Sequence, residues 1–242
     1  MSLGVMTIGR DDVHVWVADL APLAHREGES AALLDADELQ RAARFRFPVD
    51  RTRYVLAHGV LRLTLARYVD RDPRALTFER GQFGKPSLSG PLSGAVEFNL
   101  SHSDERVLVA VARRPVGVDV ERRSERTECE RVAEFVFSQA EQDELTSLPS
   151  EQRRSAFFAA WARKEAYIKA TGYGLAYGLD TFDVSLARLP RVLADRRAPD
   201  GAHWTLRDVD AGAGYAAAVV AAGSGWHMTT LRADAQAGWW AA

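Results

Sequence analysis

Three carboxylates and an amine stand at spacings that suit the binding of a divalent cation beside a phosphorylated substrate. In Val116-Gly117-Val118-Asp119-Val120-Glu121, side chains alternate as in a strand. Val116, Val118 and Val120 then face one way, and Gly117, Asp119 and Glu121 the other. Two carboxylates on one strand face repel unless something positive stands between them, and Gly117 leaves space beside them. Mg²⁺ suits such a pair, because it takes oxygen ligands, keeps waters and is usually completed by substrate phosphates. Taken alone, the alternation equally describes an ordinary half-exposed strand.

The third carboxylate lies in Phe157–Gly174, FFAAWARKEAYIKATGYG. Its Ala, Arg, Lys and Glu content predicts a helix, with Gly172 as the left-handed residue that ends it. At about 100° per residue, Phe157, Phe158, Trp161, Ala162 and Ile168 form one apolar stripe. Glu165 lies near the middle of that stripe and Lys169 at its edge. An inward carboxylate must be protonated, paired or bound to a cation. The alternative is an i,i+4 ion pair between Glu165 and Lys169 on a solvated face.

Asn99-Leu100-Ser101-His102-Ser103 closes a strand in small donors and one imidazole, a set that can hold a phosphate. The same residues also suit a turn in which Asn and Ser satisfy nearby backbone groups. No G-x-S-x-G elbow is present, and adjacent Ser101 and His102 point to opposite faces, which argues against a serine-hydrolase triad. Gly84-Lys85-Pro86 puts one lysine in a glycine-flanked loop without a Walker A pattern.

The elements that must position these groups alternate between strands and helices. His14–Leu20 reads as a half-buried strand. Asp35 with Glu38 forms a capping-box pattern for a helix running to about Phe45. Pro48 breaks that helix, and Asp50 is placed to cap the next one, with Val55, Leu56, Val60 and Leu63 on its apolar face. Residues 81–94 are rich in Gly, Pro and Ser and read as loop or turn. Strands follow at Ala95–Leu100, Arg106–Ala112 and Val116–Glu121. Ser138 with Glu141 opens another helix, and Pro149-Ser150 separates it from the long one. Strands are expected again at Thr181–Leu186, His203–Val209, Tyr215–Ala222 and Trp226–Leu231. Residues 13–112 and 116–231 share one grammar of strand, helices and further strands, which predicts two similar α/β lobes with a ligand cleft between them.

The 242 residues, 47% hydrophobic and 26% charged with a net charge of −2, describe an ordinary globular protein. No run of 18 apolar residues suggests a membrane span, and the first residues lack a secretory pattern, so a cytoplasmic protein is expected. Cys129 is the only cysteine, which excludes an intrachain disulfide or a cysteine cluster. Eight arginines between Arg41 and Arg71 stand against Asp50 and Asp70. This run is either a solvated helix face or a site for phosphate or an acidic partner. It lacks the interleaved aromatics expected of a nucleic-acid module.

GKP at Gly84–Pro86, FNLSHS at Phe98–Ser103, GVDVE at Gly117–Glu121 and WARKEAYIK at Trp161–Lys169, in this order, resemble the two-lobed, Sfp-like 4′-phosphopantetheinyl transferases. The resemblance runs from about Arg41 to Val220. It implies a pseudo-twofold pair of α/β lobes, here 1–114 and 115–242, with coenzyme A in the cleft. It also implies Mg²⁺-dependent transfer of 4′-phosphopantetheine from coenzyme A to a serine of an acyl or peptidyl carrier protein, with release of 3′,5′-ADP. Carried over, it assigns Asp119, Glu121 and Glu165 to the metal. Glu165 or a metal-bound water becomes the base. Lys169 neutralises the departing diphosphate and Lys164 assists near the phosphates. Ser101 and His102 meet the 3′-phosphate side, Lys85 the adenine end and Arg53 the nucleotide. The sequence departs from the family at Glu38 and Arg41, where relatives often carry lysines. The resemblance implies a monomer, with no membrane or nucleic-acid partner. The rival reading is a coenzyme A sensor without turnover, which the three carboxylates oppose.

Overall fold

The computed structural model describes residues 4–186, 189–197 and 203–233. Trp239 and Trp240, expected to pack on the body or at an interface, lie outside them. In chain order the elements are β1 (Asp12–Asp19), α1 (Glu27–Ala31), α2 (Ala36–Ala42), α3 (Pro48–Val69), β2 (Phe78–Arg80) and β3 (Pro86–Leu88). Then come β4 (Glu97–Ser103), β5 (Arg106–Ala112), β6 (Val116–Arg122), α4 (Cys129–Val136), α5 (Gln139–Ser147) and α6 (Ser150–Thr171). The chain continues through β7 (Phe182–Val184), β8 (Val192–Asp195), β9 (Trp204–Asp208), β10 (Tyr215–Ala222) and β11 (His227–Ala233). The result is a mixed α/β architecture of small sheets packed with helices, as expected.

Both capping boxes form. Asp35 and Glu38 exchange bonds at 2.9 and 3.0 Å at the start of α2, and Ser138 and Glu141 do the same at the start of α5. The start of α3 differs from expectation. Phe47 occupies the cap position with Pro48 behind it, because proline's fixed φ and missing N–H suit the first turn; Asp50 lies within that turn. Residues 81–94 are not all loop: β3 pairs with β2 in a short hairpin whose turn includes Gly84 at φ 86°. Helix α4 and strand β8 were not anticipated, since each is short and carries no clear cap or turn signal.

Two sheets organise the chain, ordered β11-β1-β5-β4 and β6-β10-β9. Helix α3 covers the outer face of the first, contributing Leu56, Val60 and Leu63 to a core with Trp16, Phe98 and Val109. Helix α6 covers the outer face of the second, with Phe157, Ala166 and Ile168 against Ala216, Ala218 and Val220. The inner faces share a third core, in which Val13, Val15 and Leu108 meet Val116, Val118, Val120 and Val219. Strand β11 returns to the first sheet and pairs in parallel with β1, from Asp12 opposite His227 to Ala18 opposite Ala233.

The arginine run does not form one solvated stripe. Arg62 is fully buried, bonded to Glu38, Asp35 and the carbonyls of Pro73 and Leu76. Glu38 therefore occupies its position as the internal partner of Arg62 and His58. Among the described residues, no helix is long and apolar enough to cross a membrane.

Candidate functional site

The site is assembled where α6 lies directly on β6. A Cβ on Gly117 would stand 2.2 Å from the Ala166 carbonyl oxygen and 2.3 Å from the Ala170 nitrogen. Only glycine permits this approach, so the space beside Asp119 and Glu121 is filled by helix backbone. Helix α6 ends at Gly172, φ 80°, as expected. Val116, Val118 and Val120 point into the inner core, while Gly117, Asp119 and Glu121 face α6. Contact at Gly117 thereby sets Glu165 and Lys169 beside the two strand carboxylates.

Lys169 is not the partner of Glu165. Its ammonium donates to Asp119 Oδ1 and, at 3.1 Å, to Ser101 Oγ. Asp119 is 2% exposed, and its Oδ2 is buried without a hydrogen-bond partner. Burial pushes the Asp119 pKa up, against the opposing pull of Lys169 and Ser101. Glu121 accepts from the Trp161 indole at 3.0 Å and from Ser103 Oγ at 3.2 Å. Burial, then the Asp119 charge, pushes its pKa up to about 7. Glu165 is raised for the same two reasons. Burial works against the Lys169 ammonium, but Asp119, Glu165 and Glu121 outweigh it and hold its pKa above the ordinary value. Three mutually repelling carboxylates thus share one ammonium. Among the described residues, no three acidic, His or Cys side chains converge closely enough to enclose a metal.

The nucleotide-side expectations divide. His102 is exposed at the end of β4, and desolvation, then the charges of His58, Lys169 and Arg53, lower its pKa. The Lys85 ammonium is instead fixed on the Val116 carbonyl at 2.9 Å and the Ala170 carbonyl at 3.4 Å. Arg53 is clamped by Asp104 and Glu105. Ser101 is buried, and its hydroxyl is engaged by Asp119 and Lys169.

Lys164 requires a correction. It is 1% exposed and bonds both oxygens of Glu141 and the Phe182 carbonyl, beneath α5 and β7 and away from the carboxylates. Five residues separate it from Lys169, an offset that turns the two lysines to different faces of α6. Lys164→Met is expected to cost about 3–5 kcal/mol by leaving Glu141 buried without its cation. A urea melt measures this, and coenzyme A affinity of the folded protein should be unchanged. Weakened binding at full stability would restore Lys164 to the phosphates.

Sequence reasoning grouped Ser103 with possible phosphate donors and did not place it, or Trp161, on a carboxylate. Trp161 was read only as apolar stripe, and its indole N–H carries no signal in a hydrophobicity pattern. Its ring, with Phe157, Phe158, Val132 and Thr127, lines a recess of about 160 Å³ that has Glu121 at its edge.

Residues 115–220 match a family described as the 4′-phosphopantetheinyl transferase superfamily, and residues 21–114 match one described as 4′-phosphopantetheinyl transferase, N-terminal. The chain is 35% identical over 223 residues to the 4′-phosphopantetheinyl transferase HetI of a Nostoc species, covering 91% of this chain and 92% of that one. It is 28% identical over 205 residues to the 4′-phosphopantetheinyl transferase Sfp of Bacillus subtilis, covering 83% and 88%. A solved holo-[acyl-carrier-protein] synthase from Thermotoga maritima is 27% identical with a TM-score of 0.35, over 45% of this chain and 62% of that one.

Proposed function

The chain belongs to the 4′-phosphopantetheinyl transferase superfamily and is an enzyme that transfers phosphopantetheine to carrier proteins; we propose that it takes the group from coenzyme A, requires Mg²⁺ and releases 3′,5′-ADP. The observation that carries the metal requirement is the unpartnered buried Oδ2 of Asp119, beside two further carboxylates and a single ammonium. An all-oxygen donor set with excess negative charge fits a hard divalent cation.

As they stand the three carboxylates do not enclose an ion, so Asp119, Glu121 and Glu165 would hold Mg²⁺ jointly with substrate phosphate oxygens, and the ion would neutralise pyrophosphate charge and polarise the phosphoryl oxygen. The protein's own groups do the rest. Glu165, its pKa raised by burial and by Asp119, takes the proton from the incoming serine hydroxyl. Lys169 keeps its proton and faces the negative charge that gathers on the departing diphosphate. The recess lined by Phe157, Phe158 and Trp161 gives the pantetheine arm an apolar bed beside Glu121. In this reading residues 1–114 meet the nucleotide, residues 115–242 carry the reacting groups, and the setting is cytoplasmic.

The test is transfer from a fluorescent coenzyme A analogue to a panel of apo acyl and peptidyl carrier proteins. EDTA should abolish transfer, and Mg²⁺ or Mn²⁺ should restore it. Tight coenzyme A binding without transfer to any carrier would overturn the reading. Full activity in Asp119→Ala would overturn the metal ligands.

At the nucleotide end, His102→Ala should weaken coenzyme A more than dephospho-coenzyme A. A charge-assisted contact is worth about 1.5–3 kcal/mol, or ~10-fold to ~100-fold in Kd. Lys85→Ala should show the same preference together with a lower Tm, because its ammonium also ties the end of α6 to β6. Equal losses for the two ligands would make these residues part of the cleft wall.

A further inference from the structure

Resting on that reading of the carboxylates, we propose that Ser101 and Ser103 are positioning residues for Asp119 and Glu121, each serine anchored by a β6 amide and donating its hydroxyl proton to the carboxylate that precedes that amide. Strands β4 and β6 belong to different sheets, yet their edges face each other. Side chains at alternate positions of β4 reach across the seam. The Val118 amide donates to Asn99 Oδ1 at 2.8 Å, the Val120 amide to Ser101 Oγ at 3.4 Å and the Arg122 amide to Ser103 Oγ at 3.0 Å.

The direction of each serine proton follows from its neighbours. A backbone N–H and an ammonium can only donate, and an ionised carboxylate can only accept. Ser101 Oγ receives the Val120 amide and the Lys169 ammonium, so its proton goes to Asp119 Oδ1, 2.9 Å away. Ser103 Oγ receives the Arg122 amide, and toward the ionised form of Glu121 its proton goes to Oε2, 3.2 Å away. One arrangement therefore occurs twice, two residues further along both strands. It leaves Asp119 Oδ2 without a partner and fixes Glu121 from both sides, with the Trp161 indole on Oε1. Groups behind a ligating carboxylate set its orientation, and their loss typically costs about 10- to 100-fold in metal affinity or activity.

The third rung supplies a control. Asn99 makes the same seam bond, but the residue before its amide is Gly117, which has no carboxylate to orient. A rail that only joined the strands would treat all three rungs alike. The assignment also separates Ser101 from its neighbour. Its hydroxyl is committed inside the seam, and His102 is left as the residue of this pair that faces a phosphate.

The experiment compares Ser103→Ala, Ser101→Ala, Ser103→Thr and Asn99→Ala in three measurements. These are single-turnover transfer, the Kd of coenzyme A, and the rise in Tm when MgCl2 is titrated in with coenzyme A present. Both Ser→Ala variants should slow transfer and shift the MgCl2 midpoint upward by about 10- to 100-fold, with the Kd of coenzyme A within about twofold. Ser103→Thr, which keeps the hydroxyl, should recover most of both. Asn99→Ala should lower Tm but leave rate and MgCl2 midpoint near those of the unaltered protein. Equal slowing by Asn99→Ala and Ser103→Ala would overturn the proposal, as would Ser101→Ala losing coenzyme A affinity without a change in MgCl2 midpoint. If Ser101→Ala does not fold, the Ser103 and Asn99 variants decide. Absence of transfer by the unaltered protein would fail the functional reading, and the MgCl2 titration would still judge the serines.

Discussion

Gly117→Ala is expected to cost about 3 kcal/mol of stability and about 10²-fold in transfer. Elsewhere in a strand this change would stabilise, by roughly 0.4–1 kcal/mol, through the unfolded chain. Here the added carbon meets the Ala166 oxygen at 2.2 Å, the Ala170 nitrogen at 2.3 Å and the Lys169 carbonyl carbon at 2.8 Å. All three are backbone atoms of α6, so no side chain can rotate away to make room. The helix must retreat by roughly 1 Å to reach ordinary contact distance. Glu165 and Lys169 would move with it, away from Asp119. A urea melt and a single-turnover assay test both halves. Retention of stability and rate within about twofold would mean that the glycine does not set the site.

Glu165→Gln should raise the Tm of the metal-free protein while lowering transfer by ~10²-fold or more, the size of lost acid–base help. The stability half follows from repulsion, since Glu165 adds a charge beside Asp119 and the Lys169 ammonium near it is bonded to Asp119. A pH series makes the sign explicit. Glu121 titrates at about 7 in the folded protein against 4.5 ordinarily, and Asp119 and Glu165 are also raised. Between those values the folded protein binds more protons than the unfolded chain, so stability is present at low pH and is lost as pH rises through about 7. Glu38, where burial is outweighed by His58, the Asp35 amide and Arg62, is lowered, as is Asp183 beside Arg196. Their effect has the opposite sign and lies below that window, whereas His14 and His102, which burial lowers, oppose the fall inside it. The signature of the carboxylates is therefore a difference between proteins: from pH 5 to pH 7.5 the metal-free Tm of the unaltered protein should fall relative to that of Glu165→Gln and of Glu121→Gln, and Mg²⁺ with coenzyme A should remove the difference. A lower Tm with intact transfer in Glu165→Gln would make that carboxylate structural.

Much of this was legible in the sequence, for identifiable reasons. Alternation in Val116–Glu121 gave the correct faces, because period two is imposed by the pleat whatever lies on either side. Both capping boxes formed, since each is a local bond pattern. The alternative in which Lys169 pairs with Glu165 did not form, because the i,i+4 rule considers only the helix, and Asp119 arrives from another element. Lys164 was put near the phosphates by resemblance, and nothing local announces that Glu141, 23 residues earlier, will be buried against it. Gly117 was read as making space when it permits contact. Period and caps reveal which face a residue occupies, whereas the partner across that face depends on how distant segments pack.

Strand β11 carries a further consequence, for the order in which the protein is made. β1 leaves the ribosome long before β11, yet they are neighbours. Once β5 has paired with β1, the other edge of β1 must wait for more than a hundred residues of synthesis, on the order of 10 s. Through that interval Val13, Val15 and Val17, which end up in the shared inner core, belong to an unpaired strand edge, a template for intermolecular pairing. A chain stalled or cleaved just before His227 would keep that edge permanently. Such a fragment would contain every residue assigned here to the reaction, and its expected fate is aggregation during synthesis.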